Sequence, residues 1–317
     1  MMEGIPKISV LVITYKQEDV IERTLDAIIA QQEYIYEICV SDDCSTDGTW
    51  RILQRYQEQY PSLIKAHRND PNLGIFENIE QVRTMPTGDV ITMVAGDDLP
   101  GESWYKNVID YIKEKRIDYN NELFCIYGDY KCIYPNGDSI VFRQKAIQKR
   151  PNEALRLALR GIIGGRGCCY SINVLKRFEK VSQGRSHIVE MAQDRQLQCF
   201  SEKNYYIPNL ANIYYTGIGV SSHLKEKTLN ERQLIIPYAL DFFESKGIIV
   251  RKKEIDFLTY IRELHEFRFH KRIKSLLASL YYYYRSFDFR YQFLGNDLRY
   301  YFFSIIRRFP HKKAISI

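Results

Sequence analysis

No stretch of this 317-residue chain runs for the ~18 to 20 uninterrupted apolar positions that a bilayer-spanning helix needs. The opening, Met1 to Lys7, lacks the apolar core of a signal peptide, so a cytoplasmic protein is expected. The seven cysteines, Cys39, Cys44, Cys125, Cys132, Cys168, Cys169 and Cys199, form no Cys-x-x-Cys pair and stand near no histidine at zinc spacing. An odd, scattered set predicts reduced structural thiols rather than a disulfide framework. Internal repeats and low-complexity linkers are absent, as are RNP, helix-turn-helix and zinc-finger signatures, which argues against nucleic acid as a partner. What is present, 45% hydrophobic and 26% charged residues, supports a sizeable core and excludes disorder, collagen or coiled coil as whole-chain readings.

The net charge of +6 is unevenly spread. From residue 225 onward there are 19 Lys+Arg against 10 Asp+Glu, leaving an acidic balance of 26 basic and 29 acidic residues in 1–224. The division predicts a body, 1–224, and a basic extension, 225–317, with different jobs.

Residues 8–14 are β-branched and almost continuously apolar, the pattern of a strand covered on both faces in a parallel sheet. Val20, Ile21, Thr24, Leu25, Ile28 and Ile29 follow at helical spacing, and 35–40 reads as a second strand. The alternation continues with a helix over 49–60, strands at 63–67 and 90–94, and helices over 75–84 and 103–115. Residues 123–134 and 139–142 flank Pro135-Asn136-Gly137-Asp138 and predict a hairpin of antiparallel strands added to that sheet. Helical patterns at 153–160, 173–178 and 189–200 precede a β-rich segment at 205–215, and the extension is mostly helical by pattern.

In open α/β sheets ligands bind beyond the carboxyl ends of the strands. Neither a Gly-x-Gly-x-x-Gly turn nor a Gly-Lys-Ser/Thr loop follows the first strand, which excludes dinucleotide and P-loop chemistry there. Thr14-Tyr15-Lys16 stands in that place, Asp42-Asp43 ends the second strand and Asp97-Asp98 the fourth. Adjacent carboxylates raise one another's pKa unless a cation or donor satisfies them, and a divalent metal is the obvious cation. Mg²⁺ or Mn²⁺, held by one or two carboxylates and completed by substrate phosphates, fits this set. Turn and capping chemistry explains one such pair as readily, and two in register less so.

These residues resemble family 2 glycosyltransferases with the GT-A fold. The resemblance rests on Ser9 to Tyr15, Ser41 to Thr49, Asn72-Leu73-Gly74-Ile75 with Asn78, and Gly88-Asp89-Val90-Ile91 leading into Gly96-Asp97-Asp98, and it covers about residues 6–220. It implies a Rossmann-like mixed sheet flanked by helices, with a donor half over about 1–100, an acceptor half over about 101–224 and a helical C-terminal extension. It also implies inverting, metal-dependent transfer from a UDP- or dTDP-sugar to a glycan or lipid-linked acceptor in cell-envelope or capsular polysaccharide synthesis. Thr14, Tyr15, Asp42 and Glu18 then fall near the nucleotide, and Asp97 by the ribose. Asp98 becomes the metal ligand, Asp43 a weaker donor-site candidate or a helix cap, and Asn78 a local hydrogen-bonding partner or a packing residue.

Inversion needs a general base for the acceptor hydroxyl. The family's Glu-Asp segment aligns with Gln193-Asp194, which makes Asp194 the candidate base and Glu190, one turn earlier, the alternative; a first-turn Asp favoured by the helix dipole is the plainer role. The glycine-rich stretch 161–171 resembles the acceptor-side loop. A histidine that many relatives place on the metal or diphosphate is missing from 214–222, and His223 just beyond is its substitute, although a lone loop histidine is ordinarily solvated.

Two rivals are weaker. A sugar-phosphate nucleotidyltransferase would carry a glycine-rich basic first loop in place of Thr14-Tyr15-Lys16. A non-catalytic scaffold that binds nucleotide sugars has no evident reason to keep Asp42, Asp97, Asp98 and Asp194 on one cleft. The extension holds 11 Lys+Arg against Asp288 and Asp297 over 268–313, interleaved with aromatics, and is read either as a packed cap or as a peripheral contact with the inner face of the plasma membrane.

Overall fold

β-branched side chains pack well on a pleated, covered surface, and Ile8–Thr14 (β1) is the central example. It pairs in parallel with Glu37–Asp42 (β2) on one side and Val90–Ala95 (β4) on the other, and β2 carries Ile64–Arg68 (β3) at the edge. The computed structural model describes residues 4–145, 167–177, 202–216, 240–241 and 244–286. The chain divides into two compact units, Met1–Ser222 and His223–Ile317.

In the first unit Ile21–Ile29 (α1), Thr49–Gln59 (α2) and Ile75–Arg83 (α3) connect these strands. Leu99–Pro100 (β5) and Trp104–Lys115 (α4) follow, then the hairpin Phe124–Ile133 (β6) and Ser139–Phe142 (β7), which pairs antiparallel as the Asn-Gly turn predicts. Cys169–Ser171 (β8), Asn173–Arg177 (α5) and Lys203–Tyr215 (β9) complete the described elements. The nine strands run β3-β2-β1-β4-β8-β6-β9-β5, with β7 on β6. One placement was not foreseen. Cys169–Ser171, the end of the glycine-rich segment, is a three-residue strand that slots antiparallel between β4 and β6.

The core lies between the sheet and its helices, where Val10, Val12, Ile21, Leu25, Ile28, Ile38, Val40, Trp104, Val108 and Phe124 are all sealed from solvent. Among the described residues all six cysteines are free thiols, and burial pushes those of Cys39 and Cys169 up to about 12. Gly101 marks a close approach of chain to chain: a Cβ there would stand 1.8 Å from the Leu210 carbonyl oxygen, so only glycine lets β5 lie against β9.

At the amino end of the strands the buried carboxylate of Glu37 gathers Ser9 Oγ (2.7 Å), Thr87 N (2.5 Å), Thr87 Oγ1 (3.0 Å), Gly88 N (3.2 Å) and Lys65 Nζ (2.5 Å). Burial raises its pKa, but the Lys65, Thr87 and Ser9 contacts outweigh burial and hold it below the ordinary 4.5. A depressed carboxyl pKa contributes stability that is present above the unfolded value and is lost as pH falls through the folded one. Glu37→Ala should therefore lower unfolding stability by about 2–4 kcal/mol, because several buried donors lose their acceptor. In urea titrations below pH 4.5 the wild type should lose stability more steeply than the variant, and parallel pH profiles would contradict this account.

Candidate functional site

Parallel register sets the site. Thr14 stands level with Asp42, and Ile13 with Ala95, so β1, β2 and β4 all end on one edge and release their loops together. The loops are stitched: Lys16 N donates to Ser45 Oγ (2.9 Å), Gln17 N to Thr49 Oγ1 (2.8 Å), Asp43 N to the Thr14 carbonyl (3.0 Å) and Gly96 N to the Ile13 carbonyl (2.9 Å). Lys16 and Cys44, one just past each strand, sit at φ of 52° and 60°. Side chains rarely adopt that left-handed region, and strain of about 1–3 kcal/mol is typical of loops shaped for a ligand.

Of the residues expected near a nucleotide, Thr14 is buried and its hydroxyl donates to Gln17 Oε1 (2.8 Å), whereas Tyr15 is exposed at the same edge. Asp42 is fully buried; its carboxylate accepts from the Ser45 amide (3.0 Å) and hydroxyl and lies 3.5 Å from Arg68 Nε. Burial pushes its pKa up against those contacts. Glu18 is exposed and accepts from Gly48 N (2.6 Å) at the start of α2, a capping contact.

Asp43 has both oxygens occupied: Oδ1 accepts from Asn69 Nδ2 (3.0 Å) and Leu73 N (2.8 Å), and Oδ2 from Gly74 N (2.8 Å). It braces the loop that enters α3 rather than the helix directly after it. Asn78 completes the brace, accepting from Asn69 Nδ2 (3.0 Å) and donating to the Ser41 carbonyl (3.2 Å).

The acidic pair that follows β4 is buried. Its main chain is fixed by α1, where Thr24 Oγ1 donates to the Gly96 and Asp98 carbonyls, both at 2.9 Å, and Arg23 Nη2 donates to the Asp97 carbonyl (3.0 Å). Arg23 also lies 3.8 Å from the centre of the Tyr215 ring. Asn212, buried on β9 opposite Pro100, donates to Asp98 Oδ2 (3.3 Å). Arg23, Thr24, Arg68, Asn69 and Asn212 were not singled out from the sequence. Arg68 alone had a readable signal, since it ends β3 in register with Asp42. Glu190, Asp194 and His223 lie outside the described residues.

As a donor set, Asp97 and Asp98 suit a hard divalent cation: two adjacent carboxylates, oxygen-only, with Asn212 orienting one of them. Among the described residues no group of three His, Cys, Asp or Glu side chains is gathered for a metal. A cation held here would therefore complete its shell with diphosphate and water, as Mg²⁺ and Mn²⁺ tolerate.

Comparison with known proteins bears on this edge. The family model described as "Glycosyl transferase family 2" matches residues 9–172. The uncharacterized protein Rv1520 of Mycobacterium tuberculosis is 30% identical over 131 residues, 41% of this chain and 36% of that protein. The abequosyltransferase RfbV of Salmonella typhimurium is 32% identical over 93 residues, 29% of this chain and 28% of its own length. The matches thus span well under half of these relatives. Among solved structures, S. aureus TarS in complex with UDP-GlcNAc superposes with a TM-score of 0.56 at 18% identity, over 83% of this chain and 73% of that one. GalNAc-T7 with UDP, GalNAc and Mn²⁺ gives 0.51 at 14% identity, over 74% and 48%. At such identities the likeness is one of fold, the curled mixed sheet of GT-A enzymes.

Proposed function

The chain belongs to glycosyl transferase family 2, and from that premise we propose that it transfers a sugar, with inversion, from a UDP- or dTDP-sugar to a lipid-linked glycan in cell-envelope polysaccharide synthesis. The observation that carries this reading is the meeting of Thr14, Asp42 and Asp97-Asp98 on one strand edge, with Asn212 aimed at Asp98. The solved relatives named above hold UDP or UDP-GlcNAc, and RfbV is named for sugar transfer, which supports a nucleotide-sugar donor.

In this reading Tyr15 offers an exposed ring to the nucleobase, and the loop held by Asp42, Ser45 and Arg68 shapes the base pocket. Asp43 and Asn78 act one layer back, tying that loop to the one that enters α3. Asp98 would hold Mg²⁺ or Mn²⁺, with Asp97 beside the ribose, and a cation there would supply positive charge to offset that on the departing diphosphate. Arg23 and Thr24 keep the acidic loop from shifting as that charge appears. Asp194, or Glu190 four residues before it, accepts the proton of the acceptor hydroxyl as that oxygen attacks the anomeric carbon opposite the diphosphate. The extension keeps the enzyme at the membrane, where a lipid-linked acceptor resides.

Release of nucleoside diphosphate from UDP-, dTDP- and GDP-sugars, with and without Mn²⁺, tests this reading. Metal-dependent release from one donor is the expected result. Silence across the panel, with nucleotide binding retained, would overturn catalysis in favour of a scaffold that only binds nucleotide sugars.

A further inference from the structure

In the second unit Lys252–His270 (α6) and Ile273–Arg285 (α7) pack against each other. Tyr283 of α7 meets Tyr260 of α6, ring centres 5.2 Å apart, and Arg285 Nε reaches Asp256 Oδ2 at 3.1 Å. The face of α7 that is buried is made of Ser275, Ser279 and Tyr283, two of them small and polar. Leu276 and Tyr282 are half-buried, and the other five large apolar side chains are exposed: Ile273 is 71% exposed, Leu277 61%, Leu280 41%, Tyr281 55% and Tyr284 77%. Their spacing, i, i+4, i+7, i+8 and i+11, places all five on one stripe of the helix. Apolar residues scattered singly over a surface need no explanation, but a contiguous stripe marks a contact site.

Charge identifies the partner. Residues 268–285 contain five Lys+Arg and no Asp or Glu. Lys271, Arg272 and Lys274 are exposed at the start of α7, next to Ile273. The four acids of α6 are committed to cations of their own unit: Glu254 to Arg251, Asp256 to Arg285, Glu263 to Arg262, and Glu266 to Arg272. A second copy docked in parallel on the stripe would meet like charge, Lys271 and Lys274 against the same two residues. An anionic bilayer surface satisfies both features, taking the apolar stripe into its headgroup boundary and attracting the cations. Thirteen residues of helix are about 20 Å long, too short to span the bilayer but sufficient to lie in its plane.

We propose that α7 is an in-plane membrane-docking helix, seated through Ile273, Leu277, Leu280, Tyr281 and Tyr284 on lipid with anionic headgroups. This deepens the membrane contact proposed above and names the surface that makes it. The test is flotation of the full chain with phosphatidylcholine vesicles, with and without phosphatidylglycerol. The wild type should float with the anionic vesicles. The triple variant Leu277→Ser/Leu280→Ser/Tyr284→Ser should lose about tenfold or more in partitioning, and Lys271→Gln/Lys274→Gln should lose most of the salt dependence. All three substituted positions of the triple variant are exposed, so its thermal unfolding should match the wild type, which guards against a folding artefact. Failure of the wild type to float, or flotation of the triple variant at wild-type level, overturns the proposal. So does a wild-type dimer in sedimentation that the triple variant splits without any flotation. Donor hydrolysis needs no vesicle, so nucleoside diphosphate release measured in parallel separates a failure of docking from a failure of the transferase reading.

Discussion

Asp98→Ala is expected to abolish the metal-dependent part of nucleoside diphosphate binding and to lower donor turnover by about 10³-fold or more, some 4 kcal/mol of transition-state stabilisation. The loop itself should survive. Its shape depends on main-chain contacts that alanine retains: Asp98 N on the Ala95 carbonyl, and the Gly96 and Asp98 carbonyls on Thr24. Asp98→Asn is the companion variant, since it keeps the volume while weakening the hard anionic ligand. Calorimetry with and without Mn²⁺ reads the effect directly. Affinity that still rises with Mn²⁺ in both variants would remove Asp98 from the metal site.

Asp194→Asn should behave in the opposite way. Donor binding should stay within about twofold of wild type while turnover falls by about 10²–10⁴, the range expected when a positioned general base is lost. Glu190→Gln serves as its partner experiment and should retain most activity. Near-normal turnover by Asp194→Asn with loss in Glu190→Gln would move the base to Glu190. Loss of donor binding in Asp194→Asn would assign that carboxylate to the nucleotide side instead.

Much of the parallel half was legible because buried strands and their helices obey strong periodicities. The continuous β-branched run at 8–14 could only be a covered strand, and α1 to α4 carried their apolar faces at helical spacing. The hairpin β6–β7 was readable from Pro135-Asn136-Gly137-Asp138. β8 was not. Three residues are too few to show a period, and Cys169–Ser171 becomes a strand only because β4 and β6 both offer it an edge.

The site divides along the same line. Carboxylates directly after strands announce themselves, and Asp42, Asp97 and Asp98 do stand together at one edge. Residues that hold those carboxylates in place carry no such mark. Thr24 was counted with the apolar face of α1; it is buried there because its hydroxyl serves two carbonyls of the acidic loop. Asn212 arrives from more than a hundred residues away by the pairing of β5 with β9, a register that Gly101 permits and that no local pattern encodes. Asp43 shows the converse: a residue that reads as part of the site spends both oxygens on the backbone and side chain of the loop that enters α3.

The most direct test of the central claim, a cation-assisted nucleoside diphosphate site at the carboxyl edge of β1, β2 and β4, is calorimetric titration of UDP, dTDP and GDP into the wild-type chain with and without Mn²⁺. The account predicts that UDP or dTDP binds and that Mn²⁺ tightens it by about tenfold or more, a coupling of at least 1.4 kcal/mol. Binding of equal strength with and without the metal, or no nucleotide binding at all, would contradict it.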